Sequence, residues 1–144
     1  MMISTRGRYG LRVMIDLAEH RNGDYVVLMD IARRQGLSEK YLEGILSVLS
    51  RNGFVLALRG RGGGYQLARA PREYTVGSIL RALEGPLVPV ACLGESCEPC
   101  AHAADCRTLP FWTKLGAHID AFLDNVTLAD LLTGGAFTET EAEA

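Results

Sequence analysis

MDIARRQGLSEKYLEGILSVLSRNGFVLALRGRGGGYQLA, residues 29–68, is the stretch whose reading decides the fold. MDIARRQG predicts a short helix closed by Gly36, because glycine ends a helix without a Cβ penalty. Ser38 is a suitable N-cap, and EKYLEGILSVLSRNG predicts a longer helix that stops at Asn52-Gly53. Leu42, Ile45, Leu46 and Leu49 recur at three- and four-residue steps and form its buried stripe. Two helices joined by a Gly-containing turn of this size make a helix-turn-helix. FVLALR and YQLA are short β-prone runs around a glycine-rich tip, which predicts a hairpin, hence a wing. The tip carries Arg59 and Arg61, and its glycines let the backbone come close to a phosphate. GRGGG is not a nucleotide phosphate loop, since it lacks the Walker lysine and does not follow a strand to open a helix.

The flanks extend this pattern. Upstream, residues 5–20 place Tyr9, Val13, Leu17, Met14 and Ala18 on a helical stripe with arginines on the other faces, and Asn22-Gly23 ends it. Val26 to Leu28 is a short apolar lead-in to the helix-turn-helix. Downstream, Thr75 caps a helix over TVGSILRALEG. From about Leu109, a long amphipathic helix carries Trp112, Leu115, Ile119, Phe122 and Val126 at three- and four-residue steps. Such a face is too large to bury against one small winged domain, so pairing with a second copy is expected. Thr127 caps a last short turn, with Asp130 at its third position. The expected fold class is mainly α with a small β-hairpin wing: a winged helix-turn-helix plus a long dimerisation helix. The expected parts are a DNA-binding domain over 1–84, a cysteine-rich loop over 85–108, the dimerisation helix and its cap over 109–132, and a disordered acidic tail over 133–144.

All four cysteines, Cys92, Cys97, Cys100 and Cys106, lie in that loop, CLGESCEPCAHAADC. Gly94, Pro99 and short polar residues exclude a core element there. Thiolates bunched on a loop suit zinc or an iron–sulfur centre. Disulfides of a secreted chain fit poorly, because the N-terminus has no hydrophobic signal segment and the spacing includes CxxC. A cytoplasmic location without a membrane partner is expected, since no apolar run approaches the ~18 residues of a membrane helix. The net charge of −2 hides an uneven distribution. Residues 1–72 hold twelve Arg/Lys against six Asp/Glu, whereas residues 73–144 hold three against eleven. A basic half can meet phosphate while the acidic half faces solvent or a partner.

STRGRYGLRVMIDLA, DIARRQGLSEKYLEGILSVLSRNGFV, RGRGGGYQLA and FLDNVTLADLL together resemble the Rrf2 family of bacterial winged-helix regulators. The likeness covers nearly the whole chain apart from the acidic tail. It implies a homodimer on a partly palindromic double-stranded DNA operator. Each recognition helix would enter a major groove and each wing an adjacent groove. By position, the matching DNA-binding residues are Ser38, Lys40, Tyr41, Glu43, Ser47, Arg59 and Arg61. Early helix positions facing base edges and Arg at a Gly-rich tip agree with this on physical grounds. Glu43 can accept from a cytosine amino group, and Tyr41 can instead pack at the turn.

The resemblance also implies an iron–sulfur cluster, of two-iron or four-iron type, on Cys92, Cys100 and Cys106. The family's histidine ligand falls at Leu109, which cannot ligate iron. Cys97, His102 or a residue of the partner subunit then remains as the fourth ligand. His20 and His118 read as surface or interface histidines. The expected function is a dimeric transcriptional regulator, a repressor, that senses iron–sulfur, nitric-oxide or redox status. The alternative is a cluster-free regulator using zinc, a thiol/disulfide switch or a protein partner. An enzyme is not expected: a redox Cys97/Cys100 pair lacks the βαβ context, and no His/Asp/Ser set points to hydrolysis.

Overall fold

The structure is a computed structural model that describes residues 1–95, 98–135 and 137. Helix α1 (Thr5–Glu19) begins at Ser4, whose Oγ accepts from the Gly7 N–H. Glu84 reinforces this end from far along the chain: its Oε1 accepts from the Ser4 N–H at 2.8 Å and the Gly7 N–H at 3.1 Å. A carboxylate there also complements the helix dipole. Added Cβ atoms at Gly7 and Gly10 would run into Glu84 and Leu83, so these two glycines admit helix α4 (Val76–Glu84) against α1.

Helices α2 (Leu28–Gln35) and α3 (Glu39–Arg51) form the helix-turn-helix, with Gly36 at φ 66° between them. Ser38 Oγ accepts from the Tyr41 N–H at 3.1 Å, the expected cap. Strands β1 (Val55–Leu58) and β2 (Gly64–Leu67) pair antiparallel, Val55 with Leu67 and Leu58 with Gly64. The lead-in at Val26 becomes a one-residue third strand. Its N–H donates to Tyr65 O at 2.7 Å, and the Tyr65 N–H donates back at 2.8 Å. Gly64, at φ 153°, lets this happen, because a Cβ there would strike the Val26 backbone.

One core joins these elements: Val13, Met14 and Leu17 of α1, Ile31 of α2, Leu42, Ile45, Leu46 and Leu49 of α3, Val55 and Leu67 of the hairpin, and Ile79 of α4. Each large side chain buried there contributes roughly 1.5–3 kcal/mol. Tyr74 is fully buried; its hydroxyl donates to Phe54 O at 2.7 Å and accepts from the Arg69 N–H at 2.8 Å. Beyond a loop, helix α5 (Leu109–Asn125) buries only Gly116 among its residues. Helix α6 (Leu128–Leu132) starts at the Thr127/Asp130 capping box. Val126 does not extend the α5 stripe. The helix ends at Asn125, and Val126 turns into a second small core with Val76, Leu80 and Leu87. Most of the acidic tail lies outside the described residues.

Asp16 is the one buried charged residue among those described, at 1% exposure. Its carboxylate accepts from Arg34 at 2.7 and 3.0 Å and from Gln35 Nε2 at 2.8 Å. Arg12 Nε donates to Gln35 Oε1 at 3.0 Å, so α1 grips the C-terminal turn of α2. His20 borders this group from the surface, 40% exposed, with Nδ1 2.8 Å from Asp16 O. Burial, the largest single influence, pushes the Asp16 carboxyl up. The hydrogen bonds from Arg34 and Gln35 and the Arg34 and His20 charges together hold it below its ordinary value.

Asp16→Ala is expected to cost about 2–3 kcal/mol at neutral pH. Arg34 is one-third exposed and can turn to water, which keeps the loss below that of a fully buried pair. The folded carboxyl titrates below the unfolded one. The stabilisation is therefore complete above about pH 4 and is lost as pH falls through the folded value. Urea denaturation of both proteins at neutral and acidic pH checks this; a difference that does not shrink in acid contradicts it.

Candidate nucleic-acid interface and cysteine loop

Helix α3 is amphipathic, and its buried stripe leaves the opposite face open. Ser38, Lys40, Tyr41, Glu43 and Ser47 are all exposed on it. Ser38 Oγ accepts one N–H in capping, which leaves its hydroxyl proton and a second lone pair free. Tyr41 is 39% exposed and meets Tyr9 edge-on at 6.2 Å, while Arg12 lies 5.1 Å over the Tyr9 ring. Tyr41 thus packs against Tyr9 near the turn and remains partly exposed. Lys40 and Tyr41 share a hollow with Arg6 from the start of α1.

A second hollow runs between α3 and the wing. Glu43, Ser47, Ser50 and Arg51 line its helix side, and Arg59, Gly60 and Tyr65 its wing side. Arg61 stands exposed at the wing tip outside this groove. Arg51 was not singled out by the sequence, where it reads only as a basic residue in the last turn of a helix. Its spacing from Ser47 could have shown that it shares the exposed face. The tip is tightly built: a Cβ at Gly63 would collide with the carbonyl oxygens of Leu58 and Gly60. The arrangement gathers hydroxyl and guanidinium donors along a channel open to solvent, which is chemistry suited to phosphate oxygens.

The cysteine loop leaves α4 at Gly85. Cys92 sits in a 3-10 turn (Ala91–Leu93), and Leu93 and Pro89 pack beside Gly116 of α5. Cys100 precedes turns in which the Ala103 N–H donates to Cys100 O and the Asp105 N–H to His102 O. Cys106 lies three residues before α5, with Sγ 3.3 Å from Thr108 Oγ1. The Thr108 hydroxyl first, then the backbone N–H groups of Thr108 and Leu109, hold its thiol below the ordinary value. Cys92 and Cys100 are exposed, Cys106 is partly buried, and none of the three is in a disulfide. Cys97 lies outside the described residues. Among the described residues no three His, Cys, Asp or Glu side chains are gathered at metal-binding distance. The donor set itself, free thiols on an exposed loop, fits a soft metal or iron–sulfur centre, with closure of the loop left to ligand binding.

On α5, Phe111, Leu115 and Phe122 are 62%, 36% and 47% exposed. Trp112 and Ile119 are half-buried. Phe111, which stacks edge-on against Trp112 at 4.8 Å, joins the apolar face that the sequence reading began at Trp112.

Residues 3–134 match the family described as "Rrf2: Iron-dependent Transcriptional regulator". The chain is 39% identical over 132 residues to the HTH-type transcriptional regulator IscR of Serratia proteamaculans (strain 568), covering 92% of this chain and 79% of that one. Among solved structures, T. potens IscR is 42% identical with a TM-score of 0.72, over 93% of this chain and 88% of that one. CymR, the global cysteine regulator of B. subtilis, is 38% identical with a TM-score of 0.75, over 94% and 99%. No described helix is long and apolar enough to cross a membrane.

Proposed function

The chain belongs to the Rrf2 family of transcriptional regulators, and on that premise we propose that it is a homodimeric, sequence-specific repressor whose grip on DNA is governed by an iron–sulfur cluster on its cysteine loop. It is a DNA-binding regulator rather than an enzyme. The single observation that carries the DNA-contact reading is the convergence of the exposed α3 face and the wing on one groove. Residues 1–84 form the DNA-binding part, 85–108 the cluster loop and 109–132 the dimerisation part, with the acidic tail beyond. The protein works in the cytoplasm, where the DNA is. Occupying an operator excludes other proteins from it, which makes repression the simplest output.

With α3 in a major groove and the wing tip in the next minor groove, one sugar–phosphate strand separates the two. That strand has to pass between helix and wing, along Ser47, Ser50, Arg51 and Arg59. Arg51 is then a phosphate contact, Arg59 a narrow-groove contact, and Glu43 a reader of base edges. Ser38, Lys40 and Tyr41 hold the start of the helix against the other flank, and Arg61 reaches past the tip.

Cys92, Cys100 and Cys106 would hold the cluster, with Cys97, His102 or a residue of the partner subunit as fourth ligand. Bound there, the cluster supplies a centre whose ligation and redox state answer to iron, oxygen or nitric oxide. The chain's own part is mechanical. The turn carrying Cys92 packs beside α5, and Cys106 stands just before that helix, so the closure of the loop bears on α5 directly. A cluster-free thiol switch is the second reading. It is favoured by the free cysteines and by the likeness to CymR, of which an oxidized form from Staphylococcus aureus has been solved, 36% identical to this chain. An absorption spectrum of anaerobically purified protein separates the two readings, since only a bound cluster gives thiolate-to-iron bands.

DNA affinity is expected to fall by orders of magnitude as salt rises from low to above physiological concentration. Arg59→Ala should lose about 1–3 kcal/mol on the preferred site. Arg51→Ala should weaken all sequences alike and lower the salt slope by about 1. Glu43→Ala should relax sequence preference with little loss of affinity. Titrations of labelled duplexes at several salt concentrations check all three, and a flat salt response contradicts the interface.

A further inference from the structure

Helix α5 buries only Gly116 fully, and its half-buried Leu123 packs on the small core of Val76, Leu80 and Leu87. Three further contacts tie it to the DNA-binding head. At its C-terminal end the Val76 N–H donates to Val126 O at 2.8 Å, and the Leu128 N–H donates to Tyr74 O at 2.9 Å. Near its middle, Pro89 and Leu93 pack beside Gly116. Between these, Arg81 of α4 donates through Nη1 to Asp124 Oδ1 at 2.6 Å and through Nη2 to Asp120 Oδ1 at 2.7 Å. The two carboxylates stand one turn apart on α5, and a single planar guanidinium spans both. One turn earlier on α4, a Cβ at Gly77 would strike the Asp124 carboxylate and crowd the Arg81 guanidinium. The bare backbone is what lets the clamp close.

We propose that Arg81 is a positioning residue for operator recognition, setting the angle between the DNA-binding head and α5 by bridging Asp120 and Asp124. This rests on the dimeric DNA-binding reading above. Arg81, Asp120 and Asp124 are 34%, 52% and 48% exposed, so solvent screens the clamp and it adds little to folding stability. Its leverage is geometric. Two heads carried on paired α5 helices have to meet half-sites about 34–36 Å apart. Play at the root of α5 is carried outward to α3 and the wing, where it spoils that match. The clamp also borders a hollow lined by Leu93 and Glu95, beside the turn that carries Cys92. The cysteine loop therefore adjoins the joint that aims the heads.

The test uses the anaerobically purified full chain and a duplex recovered by selection from random-sequence DNA with the wild-type protein. Variants of that duplex have one or two base pairs inserted between the half-sites. Arg81→Ala and the milder Arg81→Gln are expected to lose at least about fivefold in affinity for the selected duplex, the lower end for a coupling device. They should also discriminate less against altered spacing, with thermal midpoint and dimer mass unchanged. Arg81→Glu should bind more weakly still, and Asp120→Lys with Asp124→Lys in that background should recover both affinity and spacing preference. A purely structural role would move the melting temperature and leave spacing preference alone. Wild-type affinity and spacing preference in both Arg81→Ala and Arg81→Gln overturn the proposal. Arg59→Ala is the parallel control: if it weakens binding while the Arg81 variants do not, only the clamp fails. If Arg59→Ala also binds normally, the DNA interface itself is misassigned.

Discussion

Replacing Cys106 with alanine is expected to leave the anaerobically purified protein colourless, with its iron and acid-labile sulfide gone. Cys106 is the most enclosed of the three described cysteines, and the Thr108 hydroxyl beside its Sγ favours the thiolate. It also stands just before α5, where the loop has to be pinned if its state is to reach the helix. Cys92→Ala and Cys100→Ala are expected to act alike, because each removes one of the cluster's few thiolate ligands. Full iron and sulfide content in Cys92→Ala or Cys106→Ala would sink the cluster assignment. Cys97→Ala discriminates the fourth ligand: loss of cluster or an altered spectrum names Cys97, and full occupancy points to His102 or the partner subunit. The same variants measured on DNA show whether the loop governs the grip.

Ile119→Asp combined with Phe122→Asp is expected to convert a dimer into monomers at micromolar concentration. Phe111, Leu115 and Phe122 show large apolar surfaces on one helix, with Trp112 and Ile119 beside them. Covering such side chains contributes roughly 1.5–3 kcal/mol each, and every one counts twice across a symmetric seam. A carboxylate forced into that seam costs several kcal/mol more. Operator affinity should collapse with the dimer, since each head would then bind a half-site alone. Because Phe122 is 47% exposed and neither residue belongs to the two cores, the thermal midpoint of the head should change little. Sedimentation velocity checks the prediction, and a variant that remains dimeric places the seam elsewhere.

The fold class was legible in the chain because its signals act within a turn or two. Ser38, Thr75 and Thr127 each bond a backbone N–H three residues on, and the structure shows all three caps. The stripe Leu42, Ile45, Leu46 and Leu49 follows from helical period alone and is fully buried. The glycine-rich tip announces a hairpin because few other residues could make the turn. The cysteines are legible as a set by their spacing. Val126 shows where period misleads: it keeps the α5 step, but the helix has ended and the side chain belongs to another core.

What only the tertiary structure decides is which distant residues meet. Glu84 caps a helix eighty residues upstream, Arg81 finds carboxylates about forty residues on, and Asp16 is buried against Arg34. No local pattern marks such partners, because chain propensity and period are blind to how separate elements pack. Gly7, Gly10 and Gly77 read as weak points in helices, yet each is the place where another helix comes close. Arg51 joins Arg59 in one groove only once the wing folds back on α3. The sequence by itself determined a basic winged head, a loop of thiols and an amphipathic helix, since each is written in neighbouring residues. How that helix is held against the head depends on contacts between distant residues, Arg81 with Asp120 and Asp124 and Leu123 on the second small core, and those exist only when the chain has closed on itself.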